Sequence, residues 1–306
     1  MLVLVAGVTG RIAQHIVDSL SARGHQIRGL ARSYDKLDEA HRKKLHSFVE
    51  MKHYDDVDAL DRACKGVDAI ICAYTGVPEM TLDAQLILIR AAERAGVTRY
   101  IASSWNYDWR RMTLGQHESY DPYIAFHNHV GMTSSIKPTY IFVGVFAELF
   151  FSVPGNGFFY PQYGGCWDPE KKTMDVWGTG EETWHWTTVR DAADFAADIV
   201  ARDEVPQGGF WSVCSGENTP QEMAQVYEKV RGHPVAINMR GSVDKLREVA
   251  LEARRNGDRR NYLGYIGWFY QLYTVERAWI LGALDNDKLT TKVTSLEDFY
   301  KANPSI

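Results

Sequence analysis

The sequence predicts an α/β protein: a Rossmann-type doubly wound parallel sheet with a smaller C-terminal substrate-binding lobe. Three observations carry that reading. The chain opens on an apolar run, residues 2–6, that breaks into Gly7 and Gly10 and continues with helical spacing. Short apolar runs and amphipathic stretches then alternate through the first half, as in a parallel sheet with crossover helices. From about residue 150 the texture shifts to glycine, proline and aromatic residues.

The opening strand, glycine turn and helix have the shape that receives a dinucleotide pyrophosphate. Gly7 allows the tight turn, Gly10 lets the backbone approach the phosphates, and Ala13 permits close helix–strand packing. The free N–H groups and positive dipole end of the new helix favour the negative phosphates. Thr9, Arg11 and Ile12 complete the cofactor-binding turn. Ile12, Ile16, Val17 and Leu20 form one apolar face, and Gly24 stands as the stop. The bland alternative is a strand–turn–helix that holds no phosphate.

Residues 25–31 read as the second strand. NAD-selective sites place an Asp or Glu near its end to bond the ribose 2′-hydroxyl. This chain has Arg32 instead, with Ser33 and Lys36 close behind. An arginine fork suits a 2′-phosphate, so NADP(H) is the expected cofactor, against the alternative of a solvated strand-end arginine.

Residues 45–51 predict a third strand, 58–65 a short helix, and 67–74 a strong fourth strand closed by Thr75 and Gly76. A long amphipathic helix is expected over 81–95, stopped by Gly96, and a fifth strand over 98–104. Ligands gather at the carboxyl ends of such strands. That places Ala73, Tyr74, Ser103 and Val145 beside the cofactor, and Trp105, Asn106 and Phe146 beside a substrate. The segment 154–167 reads as a loop over that edge. Residues 191–201 and 219–231 read as helices, with a returning strand at 210–214. The expected division is 1–150 for the dinucleotide domain, rejoined by roughly 180–215, and 151–306 mostly for the substrate lobe. Seven rings between Tyr262 and Trp279, Trp268 among them, serve either as a pocket for a large aromatic substrate or as core.

The chain has 306 residues, 24% charged and 45% hydrophobic, with a formal net charge of −5. That composition fits a soluble globule and argues against nucleic acid as a partner. The cluster Arg254, Arg255, Arg259 and Arg260 is interleaved with acids and reads as a solvated helix face. No run reaches the roughly 18 apolar residues of a membrane helix, and the first strand leads straight into the glycine turn without a signal-peptide pattern. A cytoplasmic protein is expected. Four cysteines without C-x-x-C spacing and ten histidines without H-E-x-x-H predict no metal site. Oligomeric state is left open.

Several stretches resemble the NmrA-like and isoflavone-reductase-like atypical short-chain dehydrogenases. They are Val-Ala-Gly-Val-Thr-Gly-Arg at 5–11, Ala-Arg at 31–32, Gly-Val-Asp-Ala-Ile-Ile at 66–71 and Ile-Ala-Ser-Ser-Trp-Asn at 101–106. The likeness continues in Thr-Tyr-Ile-Phe-Val-Gly-Val-Phe-Ala-Glu at 139–148, Trp-Gly-Thr-Gly-Glu at 177–181, Thr-Thr-Val-Arg-Asp-Ala-Ala at 187–193 and Lys-Val-Thr-Ser-Leu-Glu-Asp-Phe-Tyr at 292–300. The resemblance spans nearly the whole chain and leans toward fungal members serving natural-product pathways. It implies NADP(H) binding, a small C-terminal substrate lobe and hydride transfer to a small organic molecule.

One position departs from the family. Asp121 and Pro122 read as the N-cap and first residue of a helix. In the family's reductases a lysine stands three residues before the valine matched by Val130, where it holds the cofactor ribose and supports proton transfer. Here that residue is His127. Tyr123, four residues earlier, stands in the place of the catalytic tyrosine of ordinary short-chain dehydrogenases. Spacing i, i+4 puts both on one helix face, so a Tyr-x-x-x-His pair could move a proton near neutral pH. The alternative is that the lysine went with hydride transfer itself. Ser104, with Ser103, is the candidate to bond a substrate oxygen, against the alternative of strand-end serines that cap a turn. Asp108, His117 and Glu118 lie in the polar loop before that helix, where they could act at the mouth of the site, but each alone reads as solvated. Three functions follow: an NADPH-dependent reductase of a bulky aromatic compound, an NADP-bound enzyme of oxidation or redox-neutral rearrangement, or a non-catalytic dinucleotide sensor of the NmrA type.

Overall fold

The computed structural model describes residues 1–74, 76–156 and 159–306. Its strands are β1 (Leu2–Ala6), β2 (Gln26–Ala31), β3 (Ser47–Glu50), β4 (Ala69–Cys72), β5 (Arg99–Ala102), β6 (Thr139–Phe142), β7 (Val145–Phe146), β8 (Trp167–Asp168), β9 (Thr173–Trp177), β10 (Trp184–Thr187), β11 (Gly209–Ser212), β12 (Gly216–Asn218) and β13 (Ala236–Gly241). Seven form one parallel sheet in the order β11-β6-β5-β4-β1-β2-β3. Runs such as Leu-Val-Leu-Val-Ala and Ala-Ile-Ile-Cys are apolar at every position because both faces are covered. Val3 pairs with Ile27 on one side and Ala69 on the other, so the strand order reverses at β1. The carboxyl ends part there and leave a crevice above β1 and β4.

The helices are α1 (Arg11–Ala22), α2 (Glu39–Lys44), α3 (Val57–Cys64), α4 (Gln85–Arg94), α5 (Asp121–Thr133), α6 (Ala147–Phe150), α7 (Val189–Ile199), α8 (Pro220–Arg231), α9 (Val243–Asn256), α10 (Ile266–Val275) and α11 (Leu296–Ala302). Residues of α1 and α7 share the core on one face of the sheet, and those of α3, α4 and α5 share it on the other. Two small sheets, β12-β10-β7 and β13-β9-β8, build the region beyond β6. α8 starts on a reciprocal cap between Thr219 and Glu222, carries Pro220 in its first turn and stops at Gly232 with φ +71°.

The late segment returns to the first sheet. β11 runs parallel to β6 as an outer strand. Its open edge is closed by Asp285, whose carboxylate accepts the Ser212 N–H at 2.9 Å, and by Asn286, which accepts the Cys214 N–H at 3.2 Å. The buried Asp191 carboxylate then accepts the Thr294 N–H and hydroxyl at 2.7 and 2.9 Å.

Three expectations change. The helix expected over 81–95 begins as a wide π-type segment, Glu79–Ala84, before α4 proper. Asp121 is the first residue of α5 rather than its cap. Its carboxylate accepts the Gly115 N–H at 2.8 Å and so tethers the preceding loop. Arg254 is not solvated: it pairs with Glu118 at 2.6 Å and covers Phe269. Thr75 lies outside the described residues.

Gly144 turns the chain from β6 into β7 with φ +70°, and an added Cβ would stand 2.2 Å from the His185 carbonyl. Gly144→Ala is therefore expected to destabilise by about 2 kcal/mol or more, read as a lower denaturant midpoint at unchanged slope.

Candidate active site

The crevice starts at the glycine turn. Gly7 has φ +81°, and an added Cβ would come within 3.1 Å of the Tyr74 ring and 3.2 Å of the Ala73 carbonyl. The N–H groups of Gly7 and Val8 donate to the Leu30 carbonyl at 2.9 and 3.2 Å, which binds the turn to the end of β2. Gly10 precedes α1 in an extended conformation, and no side chain among the described residues caps the helix. Its first-turn N–H groups are thus left for an anion. Thr9 fixes the turn by accepting the Gln14 side-chain amide on its carbonyl at 3.1 Å. Ile12 is buried beneath it. The Arg11 guanidinium reaches over the turn and donates to the Gly155 carbonyl and the Asn156 side chain.

At the end of β2, Arg32 and Lys36 are exposed and Ser33 is half-buried. Asp35, the acid in this turn, pairs with Arg42 at 3.3 Å, and neither Arg32 nor Lys36 has an ion-pair partner among the described residues. Two uncommitted cations beside an uncapped helix and a cradle closed to any side chain fit a phosphorylated dinucleotide such as NADP(H).

The strand ends beyond are committed to packing. The Ser103 hydroxyl donates to the Tyr74 carbonyl, and its N–H donates to Gln85 Oε1 at 2.6 Å. Ala73, Tyr74 and Val145 are buried. Ser104, 1% exposed, accepts a hydrogen bond from the Trp109 indole at 3.0 Å. Trp105 is buried in the core on the α1–α7 side of the sheet, to which Val143 also belongs and against which Phe146 packs. Trp268 lies against the turn at Gly164. Asn106 sits at the seam with the second lobe, where its side-chain carbonyl accepts the Tyr107 N–H at 2.9 Å and the Tyr270 hydroxyl at 3.0 Å.

Tyr123 and His127 occupy one stripe of α5 but have different surroundings. Tyr123 lies beside Tyr262 and Tyr270 of the second lobe. Burial, then those two phenols, raise its pKa well above the ordinary tyrosine value. Its hydroxyl makes no hydrogen bond among the described residues, so it is a protonated donor with a free valence. His127 instead lies 5.2 Å from Trp109, 5.3 Å from Tyr140 and 5.6 Å from Phe210, ring centre to ring centre. It borders a cavity of about 470 Å³ lined also by Arg110, Leu114 and Phe210. Burial and then Arg110 lower its pKa below the ordinary histidine value. Trp109 thus stands between Ser104 and His127, and the expected Ser–Tyr–His constellation is not drawn together. No periodicity in the loop 105–120 announces that insertion.

The loop residues expected in solvent are held. Asp108 forks onto Arg110 at 2.6 Å. Glu118 receives the Tyr265 hydroxyl and Arg254. His117 is fully buried, its Nδ1 accepting the Ser119 N–H at 3.2 Å. Burial, then Arg254 and Arg259, push its pKa down to about 3. Glu148, quoted in the sequence only as part of a motif, accepts the Val189 N–H at the start of α7 at 3.0 Å. Burial, then the Asp191 carboxylate, raise its pKa to about 7.

A family model described as the NmrA-like family matches residues 1–264. This chain belongs to the NmrA-like family. Its relatives include pinoresinol reductase 2 of Arabidopsis thaliana, 28% identical over 74% of this chain and 74% of that protein. An uncharacterized oxidoreductase of Schizosaccharomyces pombe is 36% identical, but over only 25% of this chain and 24% of its own. The fungal leaning of the sequence motifs is therefore not carried across the length of the chain. Among solved structures, the binary complex of leucoanthocyanidin reductase with NADPH from Vitis vinifera superposes with a TM-score of 0.77 at 19% identity, covering 99% of each chain. That likeness gives the fold. Among the described residues no helix is long and apolar enough to cross a membrane, and no acid, histidine and cysteine cluster could hold a metal ion.

The two shifted groups act at opposite ends of the pH range. His117, neutral when folded and held down to about 3, contributes stability that is complete above pH 6.5 and lost on acidification toward pH 3. Glu148, raised from 4.5 to about 7, contributes stability that is complete below pH 4.5 and lost as pH rises through 7. Each group is expected to tilt the stability curve by up to about 1.4 kcal/mol per pH unit in its window. His117→Phe should flatten the acid limb and Glu148→Gln the limb between pH 4.5 and 7, read by denaturant titration at a series of pH values.

Proposed function

We propose that this chain is an NADP(H)-dependent reductase of a bulky, oxygen-bearing aromatic compound in secondary metabolism, with Tyr123 as the proton donor. The observation that carries the reading is the alignment of one crevice with three tasks. The uncapped α1 and the Gly7 cradle would hold the pyrophosphate, Arg32 and Lys36 the 2′-phosphate, and the phenol of Tyr123 faces the second lobe at the crevice's far end. When bound, the dinucleotide supplies a hydride. The chain's part is to orient the substrate, exclude water and move one proton.

Tyr123 suits that part. Its raised pKa keeps the proton on oxygen at neutral pH, and Tyr262 and Tyr270 lie beside it. A donor this weak delivers its proton only to an oxygen that has become strongly basic, which ties proton delivery to charge building on the substrate. Tyr270 fixes the seam by donating to Asn106. The relatives' printed names, reductases of pinoresinol and leucoanthocyanidin, support an aromatic substrate. The uncommitted phenol favours chemistry over sensing. His127, screened by Trp109, takes no part in this reading.

Two measurements test it. Fluorescence titration should show NADPH bound in preference to NADH. Arg32→Ala removes a charge-assisted contact worth about 1.5–3 kcal/mol, a loss of tenfold or more in NADPH affinity with little change for NADH. Equal affinities in both proteins overturn the assignment. In turnover, Tyr123→Phe should lose about 100-fold or more with NADPH binding intact, whereas His127→Phe should stay near the parent rate. The reverse order would hand the proton to His127.

A further inference from the structure

His117 is fully buried where the loop before α5 packs on α10. Its Nδ1 accepts both the Ser119 N–H at 3.2 Å and the Ser119 hydroxyl at 2.7 Å, which leaves the ring proton on Nε2. Nε2 is buried and has no hydrogen-bond partner among the described residues. Around it stand Phe269 at 4.4 Å, Tyr265 at 6.1 Å, Tyr273 and Trp279 each at 6.2 Å, and Tyr262 at 6.5 Å between ring centres. A buried donor without an acceptor is rare in folded proteins and costs stability. Here it sits in a cage of aromatic faces, the lining that accepts a planar ring.

Tyr262 is the partition. It neighbours Tyr123 on one side and His117 on the other, and among the described residues its hydroxyl is held only by the Gly76 carbonyl at 3.3 Å. The segment that carries it, Arg259–Gly264, breaks helical geometry at Asn261 with φ −120° and ψ 59°. Beside it opens a cavity of about 230 Å³ lined by Tyr163, Asn261, Leu263 and Gly264. The partition therefore stands on an irregular turn with empty space next to it. By contrast, the walls are fastened: Arg254 donates to the Gln116 carbonyl at 2.8 Å and pairs with Glu118 at 2.6 Å.

We infer that His117 is the specificity-determining donor of this site: an aromatic substrate displaces Tyr262 and places a ring oxygen substituent on Nε2–H, with its reacting end toward Tyr123. The substrate class is an aryl ring bearing a hydroxyl or ether oxygen, and a ring without one leaves the donor unpaired. Discrimination of this kind, by a buried donor that must be satisfied, is stronger than any an apolar wall provides. The inference rests on the reductase reading and narrows its substrate.

The test uses the full chain saturated with NADP⁺ and two small probes, guaiacol, which carries both oxygen types, and toluene, which carries neither. Calorimetry should show the parent protein binding guaiacol at least roughly tenfold more tightly than toluene. His117→Phe keeps the ring and removes the donor, so the preference should vanish while NADPH affinity stays unchanged. His117→Gln places an amide N–H near the same point and should restore most of it. The Nε2–H resonance of the parent protein should also shift when guaiacol is added. A preference that survives in His117→Phe, or a parent protein that binds NADPH but not guaiacol, overturns the inference and leaves the dinucleotide reading standing. Loss of NADPH binding in the parent would remove that reading itself.

Discussion

Trp279 lies fully buried at the seam between the parallel sheet and the C-terminal lobe. Its ring is 4.4 Å from Tyr120, 4.8 Å from Tyr270, 5.1 Å from Tyr273 and 6.0 Å from Tyr107. Its indole N–H donates to the Met112 sulfur at 2.9 Å. The loop leading into α5 and the helix α10 therefore share one aromatic layer. Aromatic contacts of this kind combine large buried area with edge-to-face preference, so they fix angle as well as distance. The placement of Tyr123, of the Asn106–Tyr270 hydrogen bond and of His117 all depends on that layer holding its shape.

The dinucleotide half has a different logic. Its geometry follows from short-range rules: a left-handed glycine, an uncapped helix, and a strand that ends in cations rather than an acid. Each can be written into a few consecutive residues, and each was legible there. Strands β1 and β4 announce themselves as apolar runs because both faces of a parallel sheet are covered. The helix α8 announces itself through Thr219, Pro220 and Gly232.

The half that carries the proposed proton donor was legible only in part. Tyr123 stands out by its spacing, but whether a partner on the same stripe shares its surroundings depends on what is inserted between them. Trp109 comes from a loop with no periodicity, and its contacts with Ser104 and His127 span 5 and 18 positions along the chain, so neither sequence spacing nor composition reveals it. The same holds for Arg254, which reads as surface because its neighbours in sequence are charged. Its partners at residues 116 and 118 lie more than a hundred positions away. Polar groups recruited over that separation look solvated until the fold closes on them. Glu148 belongs with them, since the burial that raises its pKa, and the Asp191 carboxylate that adds to it, arise only when α7 packs against it 41 positions further along the chain.

The return of the late segment to β11 bears on how the molecule is made. β11 is an edge strand, and the groups that cover its backbone come from Asp285 and Asn286. Ser212 and Asp285 are 73 positions apart. At roughly 5–20 residues per second, a ribosome takes about 4–15 s to synthesise that interval. Throughout it, a nascent chain can hold six strands and a seventh whose outer edge is bare, the arrangement that invites pairing with a second copy. The first sheet is thus begun early and closed late, and on a polysome the vulnerable species is a long chain that already carries its seventh strand rather than a short one.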